Sequence, residues 1–313
     1  MDIKNVTVAG GGVLGSQIAL QTAYKGFNVT VWLRSVESIE RAKPKFERFA
    51  GIYTQTLEAM KTDPTAYCRG LAASSDLSAE EIDGLKANVA AAMENLKFTT
   101  DYDEAFGDAD LVIEAVAEDP EQKVAFYTEL AKHLPEKTIV VTNSSTLLPS
   151  QFAEYTGRPE KYLALHFANT IWRNNTGEVM GHPGTGEEAY NTVVEFAEAI
   201  GMVPLQLHKE QPGYILNSML VPFLNSAEML WANEVADPET IDKTWMLATG
   251  APYGPFRILD VVGLQTAYNI GIMNPASQEE GTVHYKIATK LKEMIDRGET
   301  GINAGKGFYD YSS

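Results

Sequence analysis

The sequence has a single cysteine, Cys68, among its 313 residues. One thiol excludes an internal disulfide framework and a cysteine-rich metal site, so we predict no bound metal. The chain also lacks any uninterrupted apolar run of about 18 residues, and we therefore expect no membrane-spanning helix. Because a predicted strand begins almost at the first residue, we expect no signal peptide and a cytoplasmic location.

Basic residues are scarce as well. Lysine and arginine number 25 against 42 aspartates and glutamates, which gives a net charge of −17. A nucleic-acid-binding protein needs a basic face, and an anionic membrane surface repels an acidic chain. We therefore expect neither nucleic acid nor membrane as a partner. With 44% hydrophobic residues, the chain can bury the core of one large domain or two medium ones.

The start of the chain carries a glycine motif. Residues 6–9 predict a buried strand, three glycines at G-x-G-x-x-G spacing follow, and an amphipathic helix comes next. In a dinucleotide site these glycines permit a tight turn, close approach of the pyrophosphate and close packing of the helix, whose N-terminus faces the phosphates. The alternative is a purely structural glycine turn. We predict cofactor contacts here from Gly10, Gly12, Val13, Leu14 and Gly15.

Strand-like and helix-like segments alternate as far as residue 207, which predicts a parallel sheet covered by helices on both faces. The chain is mainly helical after residues 210–213. We thus predict an α/β Rossmann-type doubly wound sheet in residues 1–207, followed by an all-α C-terminal domain in residues 208–313. Within these domains we expect a helical hairpin or an irregular excursion over residues 51–78, and one helix over residues 255–272.

Ligands of doubly wound sheets bind at the carboxyl ends of the strands. Several predicted strands end beside the glycine turn, and the polar residues that follow them share this edge. We expect further cofactor contacts there from Ala115, Val116, Glu118, Lys123 and Asn143.

The residues after the second predicted strand bear on the choice of cofactor. NAD sites usually carry Asp or Glu there, about 20 residues past the glycines, to bind the ribose 2′-hydroxyl. This chain has Leu33, Arg34 and Ser35 instead. Since Arg34 can pair with a 2′-phosphate, we predict an NAD(P) site that favours NADP(H) over NAD(H), the alternative being a solvent-facing arginine. The basic residues at positions 41, 43, 45 and 48 fit a solvated face or contacts to the phosphates of a large anionic substrate.

His166 follows another predicted strand on the same edge, and Glu178 lies twelve residues later on the next extended segment. A neutral imidazole can take the proton of a secondary alcohol as hydride leaves its carbon. A carboxylate bonded to the other ring nitrogen fixes the tautomer and stabilises the imidazolium. The alternative is a core histidine and a surface glutamate.

Taken together, these motifs resemble the L-3-hydroxyacyl-CoA dehydrogenases, including bacterial 3-hydroxybutyryl-CoA dehydrogenases. The resemblance extends over nearly the whole chain, with its motifs in the right order. It rests on VTVAGGGVLGSQIA, LVIEAVAEDPEQK, the Asn143-Ser144-Ser145 strand end, LHFAN with Glu178, QPGYILNSMLVPFLNSAE, GAPYGPFRILDVVGL and AGKGFYDY.

The resemblance implies roles for four residues. His166 falls on the family's catalytic base, Glu178 on the glutamate that orients it, Ser145 on a serine that contacts the substrate oxygen, and Asn217 on an asparagine beside the substrate. It also implies an acyl-CoA substrate and a homodimer formed by the helical domain.

The chain departs from the family pattern at several places. The family's HFFNP ends in Thr170 instead of proline, a polar-looking stretch over residues 171–177 replaces an apolar one, and Ser218 replaces an arginine. The region after Arg48 is also longer. These departures leave a dehydrogenase for a free 3-hydroxy acid or a diketo ester as an alternative. A non-catalytic nucleotide-binding protein on the same fold is a second alternative.

Overall fold

The computed structural model describes residues 2–312, which form two compact units, one ending at Ile215 and the other beginning at Leu216. The first unit contains one eight-stranded sheet among these residues. Its strands are β1 (Asn5–Ala9), β2 (Asn28–Trp32), β3 (Lys97–Thr99), β4 (Leu111–Glu114), β5 (Ile139–Thr142), β6 (Tyr162–Phe167), β7 (Thr176–Met180) and β8 (Val203–Leu207).

The sheet order is β3-β2-β1-β4-β5-β6-β7-β8, and every neighbouring pair is parallel except β6 with β7. Strands β4, β5 and β6 are buried at every residue, as expected for strands covered on both faces. The order reverses between β1 and β4, which opens a crevice at the carboxyl ends of these strands. The arrangement confirms the predicted Rossmann-type fold. The flanking helices are α1 (Val13–Tyr24), α2 (Val36–Met60), α3 (Ala79–Asn95), α4 (Tyr102–Phe106), α5 (Pro120–Leu130) and α6 (Glu187–Ala199).

Of the two expectations for residues 51–78, the helical hairpin agrees with the structure in its first part. Helix α2 continues without interruption to Met60, and Phe46, Phe49, Tyr53 and Leu57 on one face of it are buried. Their spacing of three and four residues is that of an amphipathic helix. A short 3-10 turn, Pro64–Ala66, and a loop with buried Cys68 and Leu71 complete the excursion.

The second unit is helical. Its helices are α7 (Tyr214–Ala232), which starts at the end of the first unit, α8 (Pro238–Thr249), α9 (Pro255–Val262), α10 (Leu264–Gly271) and α11 (Val283–Asp296). The single helix expected over residues 255–272 is therefore wrong. Gly263 interrupts it with a φ of 91°, a left-handed conformation that suits glycine.

Two buried aspartates organise the second unit. Asp242 accepts hydrogen bonds from the backbone N–H groups of Phe256 and Arg257 at the start of α9. Asp260 accepts hydrogen bonds from the backbone N–H groups of Phe308 and Tyr309 and from the Tyr311 hydroxyl. These contacts explain the terminal aromatic motif, since it supplies the donors for a buried carboxylate. No helix within residues 2–312 has the length and apolar character needed to cross a membrane.

Candidate active site

The glycine turn has the shape that a dinucleotide phosphate group requires. A Cβ atom on Gly10 would collide with the Ala115 carbonyl, and one on Gly15 would collide with the Gly10 carbonyl. A Cβ on Gly12, in contrast, would meet no atom within 4 Å. Gly10 and Gly15 thus serve close packing, whereas Gly12 leaves open space at the turn. The three positions meet the three requirements of the motif.

The N-terminus of α1 faces this open space without a side-chain cap. Gly12 is the N-cap residue in an extended conformation, and Val13, the first helical residue, is 57% exposed. Backbone N–H groups in the first turn therefore remain for an anion, and the helix dipole favours its negative charge. The residues present fit a nicotinamide dinucleotide.

Lys45 is a basic residue at the turn that the motif did not identify. Its ammonium donates a hydrogen bond of 2.8 Å to the Gly11 carbonyl. This contact brings a positive charge from α2 to the glycine turn of a strongly acidic chain. The only sequence signal was its membership of the basic group early in α2.

The residues after β2 are divided between core and surface. Leu33 is buried, Arg34 is exposed, and Ser35 caps α2 by accepting a hydrogen bond of 3.3 Å from the backbone N–H of Ser38. Glu37 follows in the first turn of α2 and is exposed. Hydrogen bonds from its own backbone N–H and from Ser35 lower the pKa of the Glu37 carboxyl. A carboxylate thus stands three residues beyond Arg34.

A buried carboxylate ties the end of β4 to its neighbours. Glu114 is fully buried and accepts four hydrogen bonds, from the backbone N–H of Val116 at 2.8 Å, from Lys123 at 2.6 Å, and from the Tyr127 and Thr142 hydroxyls at 2.7 Å each. The bonds join β4 to α5 and β5. They fix the Ala115–Val116 segment that packs against the glycine turn.

Lys123 is buried, and its contact with the cofactor stays a prediction. Its side chain is 1% exposed, and its ammonium pairs with Glu114 and lies 3.5 Å from Glu118. Glu118 is 39% exposed and accepts hydrogen bonds from Ser144 and from the Thr146 side chain and backbone. Burial raises the pKa of the Glu118 carboxyl, but the Ser144 hydrogen bond, the Lys123 charge and the Thr146 hydrogen bonds outweigh it and hold that pKa below its ordinary value. Glu118 therefore remains a candidate contact, and Lys123 holds it in place.

The antiparallel pairing of β6 and β7 creates the histidine–glutamate pair. His166 lies directly opposite Glu178 in the strand register, so both side chains project from the same face of the sheet. The Nδ1 atom of His166 is 3.0 Å from Oε2 of Glu178, and both residues are buried. The other carboxylate oxygen accepts a hydrogen bond of 2.9 Å from the backbone N–H of Ile215. The alternative of a surface glutamate is therefore wrong.

Ser145 lies on the other side of the imidazole. Its hydroxyl oxygen is 3.1 Å from Nε2 of His166. Because an ionised carboxylate can only accept, this bond assigns the proton of a neutral His166 ring to Nδ1 and leaves a lone pair on Nε2. The Ser145 hydroxyl then donates to that lone pair. A basic nitrogen and a hydroxyl thus stand at the carboxyl ends of β5 and β6.

The Tyr214 ring stacks on one face of the His166 imidazole. The two rings are stacked with centroids 4.4 Å apart and an interplanar angle of 11°. The Tyr214 hydroxyl donates a hydrogen bond of 2.7 Å to the Ser144 carbonyl. Tyr214 has a φ of 55°, an uncommon value for a bulky residue. Sequence reasoning missed this contact, because residues 208–215 lie with the first unit, beyond the end of β8.

The remaining predicted residues have different surroundings. The Asn143 side chain accepts a hydrogen bond of 3.1 Å from the backbone N–H of Phe167, so it joins the ends of β5 and β6. Asn217 lies in α7 within the second unit, and its contact with substrate stays a prediction. The stretch after β6 is only in part the polar loop expected. Arg173 and Asn174 are exposed, whereas Ile171 and Trp172 are buried in the core of the first unit.

Comparisons with protein families agree with this geometry. The family described as 3-hydroxyacyl-CoA dehydrogenase, NAD binding domain, matches residues 5–211. The C-terminal domain of 3-hydroxyacyl-CoA dehydrogenase matches residues 213–311. Together the two matches extend over most of the chain.

Individual proteins resemble the chain over its full length. A probable 3-hydroxybutyryl-CoA dehydrogenase of Deinococcus radiodurans is 29% identical, covering 97% of this chain and 99% of that protein. The solved structure of a diketoreductase, described as showing substrate-directed dual catalysis of dicarbonyl compounds, is 47% identical with a TM-score of 0.84, covering 99% of this chain and 100% of the other. The (S)-3-hydroxybutyryl-CoA dehydrogenase PaaH1 of Ralstonia eutropha is 25% identical with a TM-score of 0.77, covering 100% of both chains.

Proposed function

Since the chain belongs to the 3-hydroxyacyl-CoA dehydrogenase family, a family of NAD-dependent oxidoreductases acting on CH–OH groups, we propose that it interconverts an L-3-hydroxyacyl-CoA, such as 3-hydroxybutyryl-CoA, and the corresponding 3-oxoacyl-CoA. The observation that carries this proposal is the position of His166 between Glu178 and Ser145. Those two contacts supply a base, its orienting carboxylate and a hydroxyl donor at the edge that holds the cofactor.

In this proposal, His166 handles the proton of the reacting hydroxyl. When bound, the nicotinamide cofactor supplies the hydride acceptor or donor. Nε2 of His166 takes the hydroxyl proton as the alcohol is oxidised and returns it during reduction. The Glu178 carboxylate stabilises the imidazolium that forms. With substrate bound, the Ser145 hydroxyl is proposed to turn its proton from His166 to the substrate oxygen, where it and Asn217 donate hydrogen bonds as charge develops.

The cofactor would be held by the backbone of the glycine turn and the N-terminus of α1, with Glu118 as a further contact. The three glycines support this placement through the packing and the open space described above. Lys45 adds a cation next to the Gly11 carbonyl. A nicotinamide cofactor follows from the family, and the choice between its two forms is a finer proposal.

We propose that the site favours NADP(H), and exposed Arg34 at the end of β2 supports this. The kcat/KM for NADPH should exceed that for NADH, and Arg34→Asp should reverse the preference, because it replaces a partner of the 2′-phosphate by a like charge. Glu37→Gln should strengthen the preference for NADPH, since it removes an ionised carboxyl three residues from Arg34. An unmutated protein that prefers NADH would contradict the proposal.

A second candidate function is reduction of a dicarbonyl compound without CoA. The diketoreductase with 47% identity supports it. Two departures from the family pattern suggested this candidate, the polar stretch after β6 and Ser218. The burial of Trp172 weakens the first of them. The reacting group would be the same in both cases, a 3-oxo carbonyl next to His166, so the two candidates differ only in the group attached to it.

A substrate panel tests the proposed function. Reduced cofactor should be oxidised in the presence of acetoacetyl-CoA. Its kcat/KM should be at least ten times that for ethyl acetoacetate or free acetoacetate, about 1.4 kcal/mol of transition-state selectivity. The reverse order of kcat/KM values would favour the dicarbonyl reductase. Cofactor binding without turnover of any of these compounds would contradict both and favour a non-catalytic protein.

We also propose a homodimer formed through the helical unit. Its surface carries exposed apolar side chains, among them Leu247 at 78% and Met273 at 79% exposure, which a partner subunit could cover. Light scattering of the purified protein measures the oligomeric mass. The cytoplasmic location stays a prediction from the sequence, as does the absence of nucleic-acid and membrane partners.

A further inference from the structure

The loop that follows β6 has a backbone conformation that is incompatible with the proline of the family motif. This segment, residues 168–175, is called the post-histidine loop below. Thr170 stands where the family motif has proline, and its φ is 62°. A proline ring fixes φ near about −65°, so proline cannot occupy this backbone conformation. The replacement of proline by Thr170 therefore goes together with a backbone conformation that a proline at this position would exclude.

Gln17 on α1 holds this turn in place. Its side chain is 3% exposed, and its Oε1 atom accepts hydrogen bonds from the backbone N–H groups of Thr170 at 2.9 Å and Ile171 at 3.2 Å. Proline has no N–H group to donate, so the Thr170 bond depends on the departure from the family motif. One buried amide oxygen thus fixes two consecutive peptide groups.

The longer region after Arg48 supports the same loop. The backbone N–H of Gly70 donates a hydrogen bond of 3.0 Å to the Trp172 carbonyl, and a Cβ on Gly70 would lie 2.7 Å from that oxygen. The Trp172 ring packs against Phe49 and Tyr53, with centroid distances of 5.8 and 5.3 Å. The replaced proline and the longer region after Arg48 therefore both determine the conformation of one loop. The first residue of this loop is separated from His166 by a single residue.

We propose that Gln17 is a positioning residue that sets substrate specificity, because it fixes the course of the post-histidine loop next to the reacting carbonyl. The loop exposes Asn169, Arg173 and Asn174, while Ile171 and Trp172 anchor it in the core. Its conformation decides which groups of a 3-oxo substrate fit beside His166. The inference rests on the proposed function and identifies Gln17 with the post-histidine loop as the feature that selects among 3-oxo compounds.

Two pairs of variants test this inference. Gln17→Met removes the acceptor at nearly constant size, whereas Gln17→Glu keeps it. Thr170→Pro removes the donor and cannot adopt the positive φ, whereas Thr170→Gly keeps the donor and tolerates that φ. Gln17→Met and Thr170→Pro should lower kcat/KM for acetoacetyl-CoA by about 10-fold to 100-fold at saturating cofactor, the range expected for misplaced substrate. The other two should stay within about threefold of the unmutated protein, less than the cost of one lost hydrogen bond.

The ratio of kcat/KM between acetoacetyl-CoA and ethyl acetoacetate separates specificity from stability. We expect Gln17→Met and Thr170→Pro to change this ratio, and the loss in the double variant to be smaller than the product of the two single losses, because both remove the hydrogen bond between Gln17 and Thr170. An unchanged ratio, or an equal loss in Gln17→Met and Gln17→Glu, would overturn the inference. If one variant fails to fold, the other pair gives the same test. Absence of turnover by the unmutated protein would instead count against the proposed function.

Discussion

His166→Ala is expected to lower kcat by a factor of about 10² to 10⁴, the usual contribution of a general acid–base group. The variant removes the nitrogen that lies 3.1 Å from the Ser145 hydroxyl and is oriented by Glu178. Because the cofactor contacts are proposed on other residues, the dissociation constant of the cofactor should change little. Steady-state turnover of acetoacetyl-CoA and a fluorescence titration with reduced cofactor measure the two quantities.

His182 provides a matched control for this variant. It is a half-buried histidine of the same unit, and its Nε2 atom is 2.9 Å from the Pro159 carbonyl, away from the proposed base. His182→Ala should leave kcat within about twofold of the unmutated value, because its ring bonds to Pro159 and Gly184 and to none of the proposed catalytic residues. Equal losses in both variants, or full activity of His166→Ala, would show that His166 is not the proton-transferring group.

Glu114→Gln is expected to destabilise the first unit by about 3–5 kcal/mol, the usual cost of removing one partner of a buried ion pair. The substitution leaves the Lys123 ammonium, which is 1% exposed, without its partner at 2.6 Å. It also places an amide where Glu114 accepts four hydrogen bonds. Urea unfolding of the cofactor-free protein measures the loss.

Two further variants show whether the buried pair is responsible. Glu114→Gln combined with Lys123→Met removes both charges, keeps an acceptor oxygen at residue 114, and should recover most of the lost stability. Lys43→Met breaks an exposed pair with Glu40, whose side chains are 49% and 63% accessible, and should change stability by less than about 1 kcal/mol. A double variant as unstable as Glu114→Gln would contradict the ion-pair explanation and favour the hydrogen bonds alone.

The sequence was most informative where local chemistry determines structure. The glycine spacing and the alternating segments predicted the Rossmann-type sheet, because a tight turn and close packing demand glycine at given positions. The separation of His166 and Glu178 suggested a pair, and the antiparallel register supplies the contact that spacing alone left open. Their chemical roles stay predictions.

Other features depend on contacts that are distant in the sequence. No local pattern shows that Lys45 reaches the Gly11 carbonyl, or that Gln17 holds a loop more than 150 residues away. Trp172 stands among polar residues, yet its ring is buried by α2. The break at Gly263 follows from one positive φ inside an otherwise helical pattern. Tertiary packing determines each of these features, so a local sequence pattern either predicts the wrong structure or predicts nothing.

The cooperation of His166 and Glu178 can be measured through single-turnover hydride transfer from the bound reduced cofactor to acetoacetyl-CoA. The rates to compare are those of His166→Ala, Glu178→Gln and the double variant. If Glu178 acts only by orienting and stabilising the imidazole 3.0 Å away, the double variant should be no slower than His166→Ala. Losses that multiply in the double variant would contradict this account, because the two residues would then act independently.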